Sequence, residues 1–407
     1  MSQADTATVP SRNALSIVAP MYAQQTEAGI FIHLSFGRVI DRLARYHDRI
    51  YLSVPIVPAG DNITRDYRLT ADNIELIPQP AYTSMLESLR QWPGILRSYL
   101  AICRRGAPLF IRGMVPLIGL LYLLCFLFRL KPCHWIVSDP EALLRSHRRA
   151  SWLQDRLALA VATTDRLSSR WGRFWTGGSF ICNGKELGRL YPSPQTEAVV
   201  SSTVVKEEFH YREDACDRPE LALLFVGFLR PEKGVEYLLE ALAQLQLQRN
   251  WQLTIVGEFG RFTAYRDRIL GLVDKFDLAD RIDWKGYLSY GPDMFAELRS
   301  ADILILPTLS EGTPRVLIEA RANGLPVIAS AVGGIPSSVS DGVDGLLVPP
   351  KDPQAISRAI TRLVEDRPLR DRLIKNGYRT AERWTVDRFV EQVATMCDEE
   401  TEAPCPS

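Results

Sequence analysis

The sequence predicts an α/β fold with two domains, each built on a doubly wound parallel sheet, and three observations carry that prediction. Apolar runs of strand length alternate with amphipathic stretches of helix length, an order typical of strand–helix–strand units. The 407 residues suffice for two domains of ordinary size. Two strand-like runs in the second half end in glycine, which suits a sheet edge that a ligand approaches closely.

The first half of the chain begins with alternating elements. Leu15–Pro20 is predicted as the first strand, and Ile30–Tyr46 as the helix that follows it. Ile50–Val54 and Ile74–Ile77 are predicted as the next two strands. This alternation favours a parallel sheet in the first domain.

The most apolar stretch of the chain is Val115–Leu130. It holds about 16 residues, with Pro116 and Gly119 inside, whereas a membrane-spanning helix needs about 20. We expect a helix buried against the sheet. The alternative is a helix with one exposed face that dips into the interface of a bilayer.

A predicted strand, His134–Val137, leads into Ser138 and Asp139. Asp139 has two equally supported interpretations: it orients an acceptor or a sugar, or it caps the helix that follows. His134 is interpreted as structural, because it adjoins a strand.

Composition and charge exclude several classes of protein. Hydrophobic residues make up 46% of the chain and charged residues 24%, as in globular proteins. The seven cysteines include no CxxC pair and the five histidines no metal-ligand spacing, so we expect neither a disulfide framework nor a metal site. No secretory leader is predicted. The scattered cysteines favour a reducing cytoplasm as the simplest setting.

The charges are unevenly distributed along the chain. The chain has 48 Lys and Arg and 48 Asp and Glu. Residues 1–200 hold 23 of the basic residues and 15 of the acidic ones, and the remaining residues hold 25 basic and 33 acidic ones. A basic half suits an anionic membrane surface or a lipid diphosphate, and the plain alternative is a basic surface without a partner. Nucleic acid is not expected as a partner, because no recognised module is present.

The most informative segment is Ser310–Ala320, in which two carboxylates flank the start of a predicted helix. Ala301–Pro307 is predicted as a short buried strand, so Glu311 is expected in the strand-to-helix loop and Glu319 about two turns into the helix. Free N–H groups at a helix start favour a phosphate, and nearby acceptors favour hydroxyl groups. The segment therefore predicts a site for a sugar nucleotide.

Residue types at the helix start support this interpretation. Thr313 can serve as the N-cap, and Pro314 suits the first helical position, where no N–H is needed. Earlier in the chain, Leu223–Gly227 is predicted as a strand, and the loop after it places Arg230 and Lys233 as cations suited to a diphosphate. The following helix is predicted over Val235–Leu247, and the remaining strands over Leu253–Gly257, Leu325–Ala329 and Leu346–Pro350.

Taken in order, "VGFLRPEKG", "IVGE", "EGTPRVLIEARANGLPVIAS", "VGGIP" and "DGVDGLLVPPKDP" resemble the donor domain of retaining glycosyltransferases of the large group-one family. The resemblance is close over residues 221–355 and loose in the first half. It implies the GT-B fold, in which two Rossmann-like domains face a central cleft. Each motif alone is a weak signal, and an isolated Glu or Lys of this kind is more often a surface residue.

The resemblance assigns roles to single residues. Glu311 would contact the hydroxyls of the donor sugar, Glu319 the nucleotide ribose and Lys233 the diphosphate. The family usually has Arg directly after the strand glycine, where this chain has Phe228, and Arg230 is the candidate substitute. The implied catalytic set is Glu311, Lys233, Arg230 and Asp139. The implied donor-binding set is Glu319, Gly29, Gly227, Gly257, Gly286, Tyr287, Gly312, Thr313, Pro314, Arg315 and Val316.

The resemblance also suggests how the chain divides. The parts are a flexible arm over residues 1–13, an acceptor domain over 14–200 and a nucleotide-sugar domain over 201–380. A helix over 381–397 would pack back on the first domain, and an acidic, disordered tail is expected over 398–407.

The leading functional hypothesis is a retaining, metal-independent hexosyltransferase. Its donor substrate would be a UDP- or GDP-sugar, with no further cofactor. Its acceptor would be a saccharide or a lipid-linked saccharide of bacterial surface polysaccharide, reached by peripheral contact at the inner face of the membrane. The alternatives are a sugar-nucleotide epimerase of the same fold and a non-catalytic scaffold that keeps the donor pocket.

Overall fold

The computed structural model describes residues 12–58, 66–82, 85–139, 141, 152–192, 197–199, 202–260 and 262–402. The chain divides into two compact units, one of residues 1–199 with 386–407 and the other of residues 200–385. Each unit is built on a parallel sheet with helices. The predicted α/β class is therefore confirmed.

In the first unit, the described strands form a seven-stranded parallel sheet of order β10-β9-β8-β7-β1-β4-β6 and a small antiparallel sheet of order β2-β3-β5. The strands are β1 Arg12–Val18, β2 Ala23–Thr26, β3 Gly29–Ile32, β4 His47–Pro55, β5 Tyr67–Arg68, β6 Ile74–Gln79, β7 Leu109–Arg112, β8 Pro132–Ile136, β9 Ser179–Asn183 and β10 Glu197–Val199. The helices are α1 Leu34–Leu43, α2 Met85–Arg90, α3 Trp92–Cys103, α4 Ile118–Leu127, α5 Trp152–Thr176 and α6 Lys185–Leu190.

Two predictions for the start of this unit are wrong. β1 begins at Arg12, so residues 12 and 13 do not belong to a flexible arm, while residues 1–11 lie outside the described part. The helix predicted over Ile30–Tyr46 is α1, which begins only at Leu34. The residues before it form β3, because they pair with β2 across a tight hairpin that closes at Gly29.

The helix α4 is buried on one face only. Leu121, Tyr122 and Cys125 are at most 2% exposed, whereas Phe126 is 49% and Leu127 65% exposed. The expectation of a helix buried against the sheet is therefore wrong for the exposed face of α4. Among the described residues, no helix is long and apolar enough to cross a bilayer.

The second unit carries a six-stranded parallel sheet of order β13-β12-β11-β14-β15-β16. Its strands are β11 Leu221–Val226, β12 Trp251–Val256, β13 Ile282–Gly286, β14 Ile303–Leu306, β15 Val327–Ser330 and β16 Leu346–Val348. Its helices are α7 Val235–Ala243, α8 Thr263–Lys275, α9 Pro292–Ser300, α10 Val316–Ala322, α11 Ile335–Ser338, α12 Pro353–Glu365 and α13 Arg367–Arg383. The last helix, α14 Val386–Glu402, belongs to the first unit and packs on α1, β8 and β9.

The strand order of this sheet reverses at its centre. From β11 the chain moves outward through β12 and β13, and it then returns to the other side of β11 for β14, β15 and β16. In open parallel sheets, ligands bind at the carboxyl edge where the strand order reverses, and in this sheet that point lies between β11 and β14. Leu223, Leu224 and Phe225 of β11 are fully or almost fully buried, as expected for a strand covered on both faces.

Several helix ends differ from the predicted ones. α7 ends at Ala243, four residues before the predicted Leu247. α14 continues to Glu402, so the prediction of a disordered tail from residue 398 is wrong for 398–402, and residues 403–407 lie outside the described part.

A buried ion pair ties together three segments of the second unit. Arg321 of α10 is 1% exposed, and its Nη1 lies 3.1 Å from Asp344 Oδ2 and donates to the carbonyl of Ser338 at 2.8 Å. Asp344 also accepts hydrogen bonds from Ser340 N and from the hydroxyl of Thr380 on α13. Burial lowers the pKa of Arg321 to about 10, while the Asp344 carboxylate opposes that shift.

The described cysteines are free thiols, and all are buried. They are Cys103, Cys125, Cys133, Cys182, Cys216 and Cys397. Burial raises the pKa of Cys182 and of Cys216 to about 12, which keeps both thiols protonated.

Candidate functional site

The loops after β11 and β14 are bound to each other at the point where the strand order reverses. Gly234 has a φ of +63°, and a Cβ there would lie 2.3 Å from the carbonyl oxygen of Pro307. The hydroxyl of Thr308 and the amide of Leu309 both donate to the carbonyl of Glu232, at 2.8 and 2.7 Å. These hydrogen bonds fix the distance between the two loops. Glycine is required at position 234, because a side chain there would clash with the carbonyl of Pro307.

This juxtaposition brings together two residues that the sequence singled out. Lys233 closes the short 3₁₀ turn Pro231–Lys233, and its Nζ forms an ion pair with Oε1 of Glu311 in the loop after β14. Their side chains are 20% and 15% exposed, so both groups are mostly shielded yet open to solvent. An ammonium suits a phosphate oxygen and a carboxylate suits sugar hydroxyls, so the pair offers both contacts in one place.

A glycine turn supports the backbone of Glu311 from behind. Gly333 has a φ of +54°, and a Cβ there would lie 1.8 Å from the carbonyl oxygen of Glu311. The amide of Gly334 also donates to that oxygen, at 3.4 Å. The peptide that carries Glu311 is therefore held by close backbone contact.

The start of α10 differs from the prediction. The helix begins at Val316 with Arg315 in the N-cap position, so the prediction that Thr313 is the N-cap and Pro314 the first helical residue is wrong. Thr313 turns toward the glycine turn instead, since a Cβ on Gly334 would meet its Oγ1 at 2.9 Å. Within the described chain, that buried hydroxyl has no hydrogen-bond partner.

Glu319 consequently lies in the first turn of α10 rather than two turns into it. Its side chain is 4% exposed, and the hydroxyl of Thr203 donates to its Oε1 at 3.3 Å. The sequence did not indicate Thr203, because 116 positions separate it from Glu319. The role of Glu319 toward a ribose stays a prediction.

An aromatic stack occupies the place where the resemblance leads one to expect arginine. Phe228 is 45% exposed and stacks on Tyr287, with ring centroids 6.1 Å apart and planes inclined by 17°. The guanidinium of Arg230 lies over Phe228 at 5.0 Å and over Phe262 at 5.7 Å. Arg230 therefore belongs to the same loop surface, and its contact with a diphosphate stays a prediction.

The predicted glycines at the other strand ends also lie at this edge. A Cβ on Gly257 would meet the carbonyl oxygen of Gly227 at 2.0 Å, and Gly257 donates its amide to Gly286 at 2.7 Å. Beside them lies a pocket of about 440 Å³, within the range of small-molecule sites. Its lining includes Glu258, Phe259, Arg266, Trp284 and the two glycines 257 and 286.

The predicted residues of the first unit have plainer surroundings. Asp139 Oδ1 accepts the amide of Glu141 at 2.9 Å, as the capping interpretation expects, and its catalytic role stays a prediction. Gly29 lies at the β2–β3 hairpin, where a Cβ would meet Arg68 Nε at 3.1 Å. His134 is buried against the carbonyl of Gly113, and burial lowers its pKa to about 4.

One titratable residue of this unit was not predicted. Asp165 of α5 lines a cavity of about 420 Å³ between α5 and residues 115–120, together with Ser88 and Leu89. Burial raises the pKa of Asp165 to about 7, because the cavity wall offers little solvation to its charged form.

Each unit carries a parallel sheet with helices, and the match to solved structures shows that the chain has the GT-B fold. The structure resembles sucrose-phosphate synthase from Thermosynechococcus elongatus with a TM-score of 0.71 and 22% identity, over 97% of this chain and 100% of that one. It resembles Anabaena Alr3699/HepE, solved in complex with UDP-glucose, with a TM-score of 0.66 and 16% identity, over 95% and 99% of the two chains. At these identities the likeness shows the fold alone.

The match to a family model concerns the second unit. Residues 207–380 match the model of the family described as glycosyl transferases group 1, so the resemblance read from the motifs is confirmed for that domain. A D-inositol 3-phosphate glycosyltransferase of Streptomyces bingchenggensis is 33% identical over 227 residues, 52% of this chain and 50% of its own. The uncharacterized glycosyltransferase MJ1607 of Methanocaldococcus jannaschii is 28% identical over 178 residues, 44% of each chain. The chain spans about half the length of these relatives.

Proposed function

We propose that the protein is a retaining glycosyltransferase that binds a nucleoside-diphosphate sugar at the carboxyl edge of the second sheet and transfers its hexose to an acceptor. The observation that carries the proposal is the Lys233–Glu311 ion pair at the point where the strand order reverses. The family match over residues 207–380 and the glycosyltransferase names of the relatives support it. The neighbour solved with UDP-glucose supports the class of donor.

The chemistry of the pair suits the departure of a nucleoside diphosphate. When the bond between the anomeric carbon and the phosphate oxygen breaks, negative charge develops on the diphosphate. Lys233, Arg230 and the amides of Thr313, Arg315 and Val316 would stabilise that charge, and Glu311 would accept hydrogen bonds from sugar hydroxyls. Cationic side chains and peptide dipoles supply the stabilisation, so no metal and no further cofactor enters the proposal.

The acceptor in this proposal is a saccharide, free or carried on a lipid diphosphate, as in the synthesis of bacterial surface polysaccharide at the inner face of the membrane. The support is the excess of basic residues in the first 200 positions, which suits an anionic acceptor. The reaction would keep the configuration of the anomeric carbon.

The first test measures donor binding. UDP- and GDP-sugars are screened for thermal stabilisation, and each hit is assayed for sugar transfer and hydrolysis. Glu311→Gln and Lys233→Met should each weaken donor binding by about 10- to 100-fold, because each removes a charge-assisted contact. Glu365→Gln and Lys375→Met, at exposed positions of the same unit, are matched controls that should bind as the wild type does.

The double variant Glu311→Gln with Lys233→Met separates ligand binding from structure. A single substitution leaves the other charge partly buried without its partner, whereas the double variant removes both charges and should recover stability. Donor binding should stay lost in the double variant. Recovery of donor binding together with stability would mean that the pair is structural and that the donor site is wrongly placed.

Product analysis distinguishes the remaining functions. NMR of the transferred sugar should show the anomeric configuration of the donor. Conversion of the nucleotide sugar to an epimer without any acceptor would replace the proposal by an epimerase, and donor binding without turnover would replace it by a scaffold.

A further inference from the structure

Two adjacent helices of the first unit expose a continuous set of large apolar side chains. We call this set the aromatic face; its members are 45–65% exposed. They are Leu123, Phe126 and Leu127 on α4 and Leu167, Trp171, Phe174 and Trp175 on α5.

Helix geometry brings these side chains to one surface. On each helix the exposed residues are three and four positions apart, which places them on the same side. Gly172 lets the helices approach closely, because a Cβ there would lie 2.1 Å from the ring of Tyr122. The rings of Phe126 and Trp175 meet edge to face, 6.2 Å between centroids, and join the two helices at the surface.

The charges around the aromatic face have one sign. Residues 118–131 and 166–176 contain five Lys and Arg and no Asp or Glu. Arg166 pairs with Glu141, but Arg129, Arg170 and Arg173 form no ion pair with any residue that the structure describes. Exposed Trp and Phe edged by unneutralised arginines complement a layer with an apolar interior and anionic headgroups.

We propose that the aromatic face is a docking surface for an anionic lipid bilayer. The aromatic rings and leucines would enter the headgroup region, while the arginines bind lipid phosphates. The proposal deepens the proposed function, because a lipid-carried acceptor would be presented at that surface. Only this connection to the acceptor rests on the proposed function. A second copy of the chain is a different occupant, which the experiment below identifies.

Vesicle flotation is the direct test. The full chain should float with vesicles of phosphatidylcholine and phosphatidylglycerol and bind vesicles of phosphatidylcholine alone more weakly. Trp171→Ser with Phe174→Ser should lower the partition coefficient on the order of 100-fold, because two large apolar groups no longer enter the bilayer. Arg170→Gln with Arg173→Gln should lower it about 30-fold on anionic vesicles, at about fivefold per arginine.

Matched controls lie on α3 of the same unit. Trp92 is 53% exposed and Arg97 is exposed, and both lie outside the aromatic face. Trp92→Ser and Arg97→Gln should therefore bind vesicles as the wild type does. Because the substituted residues are exposed, apart from the half-buried Arg173, circular dichroism and thermal unfolding should stay unchanged.

Tryptophan quenching locates the contact. Phospholipids brominated in the acyl chain should quench part of the fluorescence, and Trp171→Phe with Trp175→Phe should remove that quenching while vesicle binding persists. Unchanged flotation of the Trp171→Ser, Phe174→Ser variant would overturn the proposal. So would a wild-type dimer that this variant dissociates, since a second copy would then cover the face. Thermal shift with UDP- and GDP-sugars reports on the donor site separately and should be equal in all these variants.

Discussion

The backbone behind Glu311 is the part of the candidate site whose geometry can be tested most sharply. An alanine at position 333 would place its Cβ 1.8 Å from the Glu311 carbonyl oxygen. Carbon and oxygen in contact stay about 3.3 Å apart, so the oxygen must retreat by more than about 1 Å. A misplacement of that size costs on the order of 100-fold in turnover, and we expect donor-sugar transfer by Gly333→Ala to fall by that factor.

Gly342→Ala is the matched control for this substitution. Gly342 has a φ of +67°, close to the +54° of Gly333, but no atom lies within 4 Å of a Cβ built there. Each alanine is forced into the left-handed region, so urea unfolding should show about 1 kcal/mol of destabilisation from that strain in both variants. Only Gly333→Ala should lose thermal stabilisation by UDP- or GDP-sugars. Equal donor affinity and turnover in the two variants would mean that the contact between residue 333 and the Glu311 carbonyl does not position the donor.

Two further substitutions test the energetics of buried charge. Asp344→Asn leaves Arg321 buried without a carboxylate partner and should lower the free energy of unfolding in urea by about 3–5 kcal/mol, whereas Thr380→Val removes one hydroxyl and should cost about 1 kcal/mol. Equal losses would contradict the role of the ion pair. The pKa of Asp165 is about 7 in the folded chain and about 3.9 in the unfolded chain. Between these pH values the folded chain keeps a proton that the unfolded chain releases, so the free energy of unfolding falls as the pH rises. The stability gain of Asp165→Asn over the wild type should therefore grow by about 2–3 kcal/mol from pH 5 to pH 8, and a pH-independent gain would contradict this assignment.

The strands were predictable because buried parallel strands are continuous apolar runs. Ala301–Pro307 was predicted as a strand and β14 occupies Ile303–Leu306 within it. The β2–β3 hairpin was missed, since its four-residue strands are short and their partner is local. The predicted helix began four residues too early, at Ile30, because His33, the N-cap of α1, is not a strong N-cap type.

The residue types of the candidate site could be predicted from the sequence, but the contacts between those residues could not. Lys233 and Glu311 stand out as a cation and a carboxylate beside strand-ending loops, yet 78 positions separate them. Their pairing depends on β14 lying beside β11, which the order of strands in the sequence does not specify. Thr203 carries no local signal, because its contact with Glu319 spans 116 positions.

The reactivity of the buried thiols can report on local opening of each unit. Five of the described cysteines belong to the first unit, and Cys216 belongs to the second. A maleimide can react with them only after the surrounding structure opens, so mass spectrometry of the adducts would time that event in each half of the chain. Different labelling rates in the two units would show that each unit opens independently, and one common labelling rate would show that the two units open cooperatively.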